Sequence, residues 1–84
     1  MYKAVIDVKP LADYMLQITF EDNTIKKFDV KPYLGVGIFS ELKDIGLFNS
    51  VNVVFDTIEW PNGADIDPEV LYQESIVIST QSIA

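Results

Sequence analysis

The stretch YMLQITFEDNTIKKFDV, residues 14–30, holds two alternating runs around a polar centre. Tyr14, Leu16, Ile18 and Phe20 interleave with Met15, Gln17 and Thr19. Successive side chains of extended backbone point to opposite faces, so a period of two with one apolar parity marks a strand lying against a core. Asp22-Asn23 follows, two residue types that tolerate positive φ, and suits a two-residue hairpin turn. Residues 24–30 then read as the returning strand, with Phe28 and Val30 inward and Lys26 at its frayed start. This antiparallel hairpin anchors everything else.

Upstream, Tyr2, Ala4, Ile6 and Val8 alternate with Lys3, Asp7 and Lys9, which predicts a half-buried strand over 2–10 ended by Pro10, with a short connection over 11–13. Downstream, Pro32, Gly35 and Gly37 break the pattern. Phe39, Leu42 and Ile45 recur at helical spacing and predict a helix of about two turns, with Gly46 as its left-handed stop and Leu47 and Phe48 as anchors behind it. Over 51–60, Val51, Val53 and Phe55 share one parity while Ile58 and Trp60 share the other. One extra residue flips the inward face, so a turn or bulge belongs near Phe55-Asp56.

EWPNGADIDPEVLY, residues 59–72, reads as a corner into a helix. Pro61 stops a strand and Asn62-Gly63 is a turn dipeptide. Asp67 suits the N-cap, Pro68 the first helical position and Glu69 the positive end of the helix dipole. Val70 and Leu71 would dock the helix and Tyr72 would cover its edge. Ser75 to Thr80 is uncharged and β-prone; a further strand of the same sheet is the first expectation for 75–84, ahead of a strand added to a neighbour or a free tail. The expected fold is a single α+β domain over 1–84, a mainly antiparallel β-sheet with two short helices.

Composition narrows function by subtraction. There is no cysteine, which excludes disulfides, thiolate nucleophiles and zinc-thiolate sites. No histidine is present, and all six basic residues are lysine, so the side chains best suited to near-neutral proton transfer and to bidentate phosphate recognition are missing. Thirteen acids give a net charge of −7. Such a field repels phosphate backbones and anionic membranes and attracts basic proteins. No apolar run approaches the roughly 20 residues that span a bilayer, and the N-terminus lacks a basic segment followed by an apolar one. We therefore expect a cytoplasmic protein that binds neither nucleic acid nor membrane.

Asp65, Asp67 and Glu69, at alternate positions, resemble the opening of a calcium loop. Position six of such a loop must be Gly and is Val70; position twelve must be Glu and is Ile76. A helix cap with an acidic first turn explains the same residues. The Gly35-Val36-Gly37 run lacks the remaining residues of a dinucleotide or P-loop fingerprint and reads as a flexible connection. Paired carboxylates can cleave glycosides, yet a core this small leaves little volume for a sugar cleft, so no enzyme and no cofactor are expected. Trp60 and Tyr72 are either core or recognition aromatics. Together with Asn62, Gly63 and Asp65 they form the candidate binding patch.

Three segments, FEDNTIKKFDVKPYL (20–34), IFSELKDIGLFNSVNV (38–53) and WPNGADIDPEVLY (60–72), occur in an order and spacing that resemble the bacterial family DUF2442. The resemblance runs from about Val5 to Tyr72, and its last segment is the most specific. It falls on Phe28, Asp29, Pro32, Leu34, Phe39, Leu42, Phe48, Trp60, Asn62, Gly63, Asp65, Pro68 and Leu71, which mark a fold signature, not a functional set. Where the family often has Asp-Gly in the first hairpin, this chain has Asp22-Asn23. Some longer members carry a helix-turn-helix DNA-binding domain after this one, and others are encoded beside a second small protein. The resemblance thus implies an accessory or regulatory binding module, and together with the net charge of −7 it leads us to expect the acidic member of a toxin–antitoxin-like pair with a small basic protein partner. No helix-turn-helix pattern follows Tyr72, so no DNA contact is expected of this chain. Two alternatives stand beside it: a divalent-metal or small-ligand domain using Asp65, Asp67 and Glu69, and a structural homodimer joined through residues 75–80.

Overall fold

The computed structural model describes residues 3–80. Its elements are β1 (Val5–Leu11), β2 (Met15–Phe20), β3 (Thr24–Asp29), α1 (Ile45–Phe48), β4 (Asn52–Val54), β5 (Thr57–Glu59), β6 (Asp65–Ile66), α2 (Pro68–Glu74) and β7 (Ile76–Thr80), with 3-10 segments at Ala12–Tyr14, Lys31–Tyr33 and Gly37–Lys43. One sheet has the order β1-β2-β3-β7 and a smaller one the order β4-β5-β6, with every pair antiparallel. The α+β class expected from the alternation is the class observed. Among the described residues no helix is long and apolar enough to cross a membrane.

The central hairpin buries Leu16, Ile18 and Phe20 completely, and Leu16 faces Phe28 across the ladder. Its turn is longer than expected. The loop is residues 21–23: Asn23 N–H donates to Phe20 O at 2.9 Å, and of the Asp22-Asn23 pair only Asn23 has positive φ, +67°. Asp22 instead uses its carboxylate, which accepts from Thr24 N–H at 3.0 Å. This is the three-residue alternative to a two-residue turn, a tight bend closed by one left-handed residue. Lys26 is not at a frayed end. It stands opposite Ile18 on the core face, between Thr24 and Phe28, because a period of two leaves it no other side.

The first strand differs in parity and extent. Val5 pairs with Phe20 and Asp7 with Thr19, so Ile6 is the extra residue of a β-bulge. The bulge turns Val5 inward and leaves Ile6 exposed, where unbroken alternation would place Ile6 beside Val8. Pro10 does not end the strand. As an outer strand β1 has one side without ladder bonds, and there the missing N–H costs nothing. Tyr2, assigned to the inward face from sequence, lies outside the described residues, as do residues 81–84.

The expected two-turn helix is also replaced. Residues Gly37–Lys43 wind as a 3-10 segment, Asp44 is extended, and α1 begins after it. The Asp44 carboxylate accepts from Gly46 N–H at 3.0 Å, so Asp44 caps a new helix and Gly46 sits inside it, not at its stop. Ile45 is consequently exposed, while Leu42 and Phe48 are buried. Elements this short gain little from their own hydrogen bonds and depend on packing. Rings supply it: Phe28 meets Tyr33 at 5.8 Å, Tyr33 meets Phe39 at 5.6 Å, Phe39 meets Trp60 at 6.3 Å, Trp60 meets Phe48 at 6.2 Å and Phe48 meets Tyr14 at 5.3 Å. This run ties the large sheet to the small one through the irregular segment between them.

The parity switch in 51–60 is a hairpin, as the two parities required. Val54 pairs with Thr57, and the two residues between them, Phe55 and Asp56, both have positive φ, +48° and +69°. That is the type I′ arrangement, whose twist matches the flanking strands. At the other end of the chain β7 is the additional strand expected first for 75–84. It pairs with β3, and Ile78 is the extra residue of a second bulge, because Ile25 faces Ser79 and Lys26 faces Val77. Both outer strands of the large sheet therefore carry a bulge with an exposed isoleucine, a device that twists an edge away from further pairing.

Candidate functional site

The corner at 60–67 is held by backbone geometry. Gly63 N–H donates to Trp60 O at 2.9 Å and Trp60 N–H donates to Ala64 O at 2.8 Å, which closes a three-residue loop over Pro61, Asn62 and Gly63. Gly63 takes φ +92°, a conformation that glycine adopts without strain. Asn62 is fully engaged: its Oδ1 accepts from Ala64 N–H at 3.1 Å, and its Nδ2 donates to Glu41 Oε1 at 2.8 Å and to Ile38 O at 3.4 Å. It clamps the turn to the 3-10 segment. Farther on, Asp67 Oδ1 accepts from Glu69 N–H at 2.8 Å as the N-cap of α2, with Pro68 behind it. Caps of this kind contribute about 1 kcal/mol.

The candidate patch does not assemble on the surface. Trp60 is 1% exposed and its indole N–H donates to Phe48 O at 3.0 Å, so its apolar body and its polar edge are both satisfied inside. Tyr72 is half-buried elsewhere, edge-on to Phe20 at 4.8 Å. Gly63 and Asp65 are exposed. The metal alternative fares no better. Asp67 is committed to its cap, and no group of three or more His, Cys, Asp or Glu among the described residues is placed to hold an ion. No ligand-sized cavity opens among them either.

Tyr72 instead belongs to a polar cluster where α2 crosses the large sheet. Its hydroxyl donates to Asp22 Oδ2 at 2.8 Å. Lys26, 8% exposed, sends its ammonium under the ring, 3.7 Å from the centroid, and donates to Tyr72 O. That carbonyl is one of the last of α2, a group without a helical partner at the negative end of the dipole, so the lysine supplies both the missing donor and the favourable charge. Burial pushes the Asp22 carboxyl up, but hydrogen bonds from Tyr72 and Thr24 and the charge of Lys3 outweigh it and hold the carboxyl below its ordinary 3.8. The Asp22 hydrogen bond, helped by burial, holds the Tyr72 phenol above its ordinary 10.0. Burial, helped by a 2.8 Å hydrogen bond to Glu74, does the same for Tyr33.

The signs fix a pH window. A phenol raised in the folded state adds stability that is complete below its unfolded value and lost as pH rises through the folded one; a depressed carboxyl adds stability that is complete above its unfolded value and lost as pH falls through the folded one. An alkaline titration followed by tyrosinate absorbance is expected to show Tyr33 and Tyr72 ionising late and together with unfolding. Tyr72→Phe should remove one late step and weaken the depression of Asp22. Titration of Tyr72 at the ordinary value in the folded protein would refute the cluster.

Two features of the small sheet were not singled out from sequence. Glu59 and Asp65 stand directly opposite each other in the β5–β6 ladder, an arrangement that places two carboxylates on one face and costs stability. Phe55, at the tip of the β4–β5 hairpin, is 94% exposed. Sequence parity groups Phe55 with Val51 and Val53 on one inward face; of the three only Val51 is buried, and the reversal at Phe55-Asp56 carries Phe55 out of the strand.

A match to the family described as Protein of unknown function (DUF2442) spans residues 5–77. It begins where the resemblance does and runs past Tyr72 into β7, so the start of the last strand belongs to the family's extent. No curated protein and no solved structure matches the chain.

Proposed function

This chain belongs to the DUF2442 family of proteins of unknown function, and from that premise we propose that it is a protein-binding module whose partner is a small basic protein. Regulation by pairing follows: the chain is the acidic member of a toxin–antitoxin-like couple in the bacterial cytoplasm. The observation that carries this reading is the opposed pair Glu59 and Asp65 on a molecule of net charge −7. Like charges placed face to face weaken the free protein, and lysine or arginine from a partner would relieve them. The same charge supports a role without nucleic acid or membranes.

A second reading has its own support. Ile76, Val77 and Ile78 are all exposed on the outer strand β7, Ile76 at 74%, which favours a homodimer formed by strand addition at that edge. The bulge at Ile78 weighs against it.

One experiment separates the two. The protein is purified from its own host at low salt and at high salt, and its mass is measured by light scattering. A basic companion retained at low salt and shed at high salt is the expected result. A particle of twice 9.5 kDa that survives salt supports the homodimer instead. A lone 9.5 kDa chain at both salts overturns both readings.

A further inference from the structure

Phe55 is where sequence and conformation disagree most. The first central position of a type I′ turn wants asparagine, aspartate or glycine, and a bulky side chain at φ +48° is out of place there. Among the described residues it is also the large apolar side chain most open to solvent. It therefore gives the fold neither turn propensity nor buried area. Residues that break a local rule with no compensating gain inside the molecule are the ones to test for function.

Its surroundings say what would cover it. Val5 N–H donates to Asp56 O at 2.9 Å, which brings the bulged and exposed Ile6 of β1 to the same corner of the molecule as Phe55. From Thr57, the residue after the turn, Glu59 lies two positions along β5, roughly 7 Å in extended backbone. There it meets Asp65 across the ladder. The apolar tip and the opposed carboxylates thus occupy the two ends of one short hairpin. A second copy of this chain, itself carrying a net charge of −7, suits that acidic end badly, and no cavity among the described residues accepts a phenyl ring.

We propose that the β4–β5 hairpin is the docking element of this protein, with Phe55 inserting into an apolar pocket of a partner protein and Glu59 and Asp65 meeting lysines or arginines on that pocket's rim. This rests on the basic-partner reading above and locates its interface. Phe55 is the anchor; the carboxylates set orientation and salt dependence.

The test exploits the fact that the fold does not need Phe55. Phe55→Asn suits the turn and is expected to raise the melting midpoint by about 2–5 °C. A photo-reactive benzophenone analogue of phenylalanine is placed at position 55 in host cells, with the exposed Lys27 position as control. The cross-linked product is identified by mass spectrometry, and that partner is expressed alone for affinity measurements. Support is a basic partner captured from position 55 and not from 27, whose affinity falls about ten- to hundred-fold with Phe55→Asn. The double variant Glu59→Gln, Asp65→Asn should flatten the salt dependence of that affinity. If a basic companion co-purifies but binds Phe55→Asn as well as the parent, the docking element is wrong and the basic-partner reading stands. If no companion is retained at low salt, that reading fails and this proposal with it. Cross-linking to a second copy or to lipid overturns the proposal as well.

Discussion

Trp60→Ala is expected to leave most of the protein unfolded at physiological temperature. Removing a fully buried tryptophan costs about 3–5 kcal/mol. The Phe48 carbonyl loses its indole donor at the same time, and an unpaired buried acceptor adds about 1–3 kcal/mol. A domain of this size holds only about 4–12 kcal/mol in total. The ring also joins Phe39 to Phe48, so its loss unties the irregular segment from the small sheet. Trp60→Phe separates the two contributions, because it keeps most of the apolar volume and deletes the N–H; a loss of about 1–2 kcal/mol is expected. Urea unfolding followed by far-ultraviolet circular dichroism measures both, since this is the chain's one tryptophan and its fluorescence vanishes with the substitution. Near-parental stability of Trp60→Ala would refute the assignment of Trp60 to the core.

Lys26→Ala is expected to be the costliest change at a charged residue. The ammonium donates to the C-terminal end of α2 and lies under the Tyr72 ring, while the stem crosses the apolar floor beside Ile18. A charge-assisted hydrogen bond of this type contributes about 1.5–3 kcal/mol. Lys26→Ala should therefore destabilise by about 2–3 kcal/mol in urea titrations. Lys26→Met, which refills the stem and lacks the charge, should recover roughly half of that. Equal losses in the two variants would mean that the ammonium carries the whole effect, and full recovery in Lys26→Met would mean that it carries none.

These two residues mark the limits of what could be read from the chain. Alternation over 14–20 named Leu16, Ile18 and Phe20 as core, and the structure buries all three, since a hairpin with one apolar face has a single register that hides it. The cap at Asp67, the turn at Asn62-Gly63 and the reversal at Phe55-Asp56 were equally legible, because each depends on backbone chemistry confined to a few neighbours. Lys26 was misplaced by weighing its polarity above its parity. Parity won because Tyr72 O, nearly fifty positions downstream, offered the ammonium a partner. Ile6 was misplaced because a bulge shifts register without any marker in residue type. The helix expected around Phe39 failed at Asp44, whose carboxylate found a better use as a cap. Trp60 turned out to be core for a related reason: tryptophan's liking for interfaces and for cores is one physical preference, and the Phe48 carbonyl that takes its indole N–H lies inside.

The joining of β7 to β3 governs how the molecule comes together. The other ladders link strands that are near neighbours along the chain and can zip locally, whereas this one waits for segments from opposite halves to meet, and that search must overcome loop-closure entropy before any contact rewards it. The seam should be the last to form on refolding. With its apolar side chains facing water, it should also be the first to part in native fluctuations, baring the backbone of β3 while the other ladders stay shut.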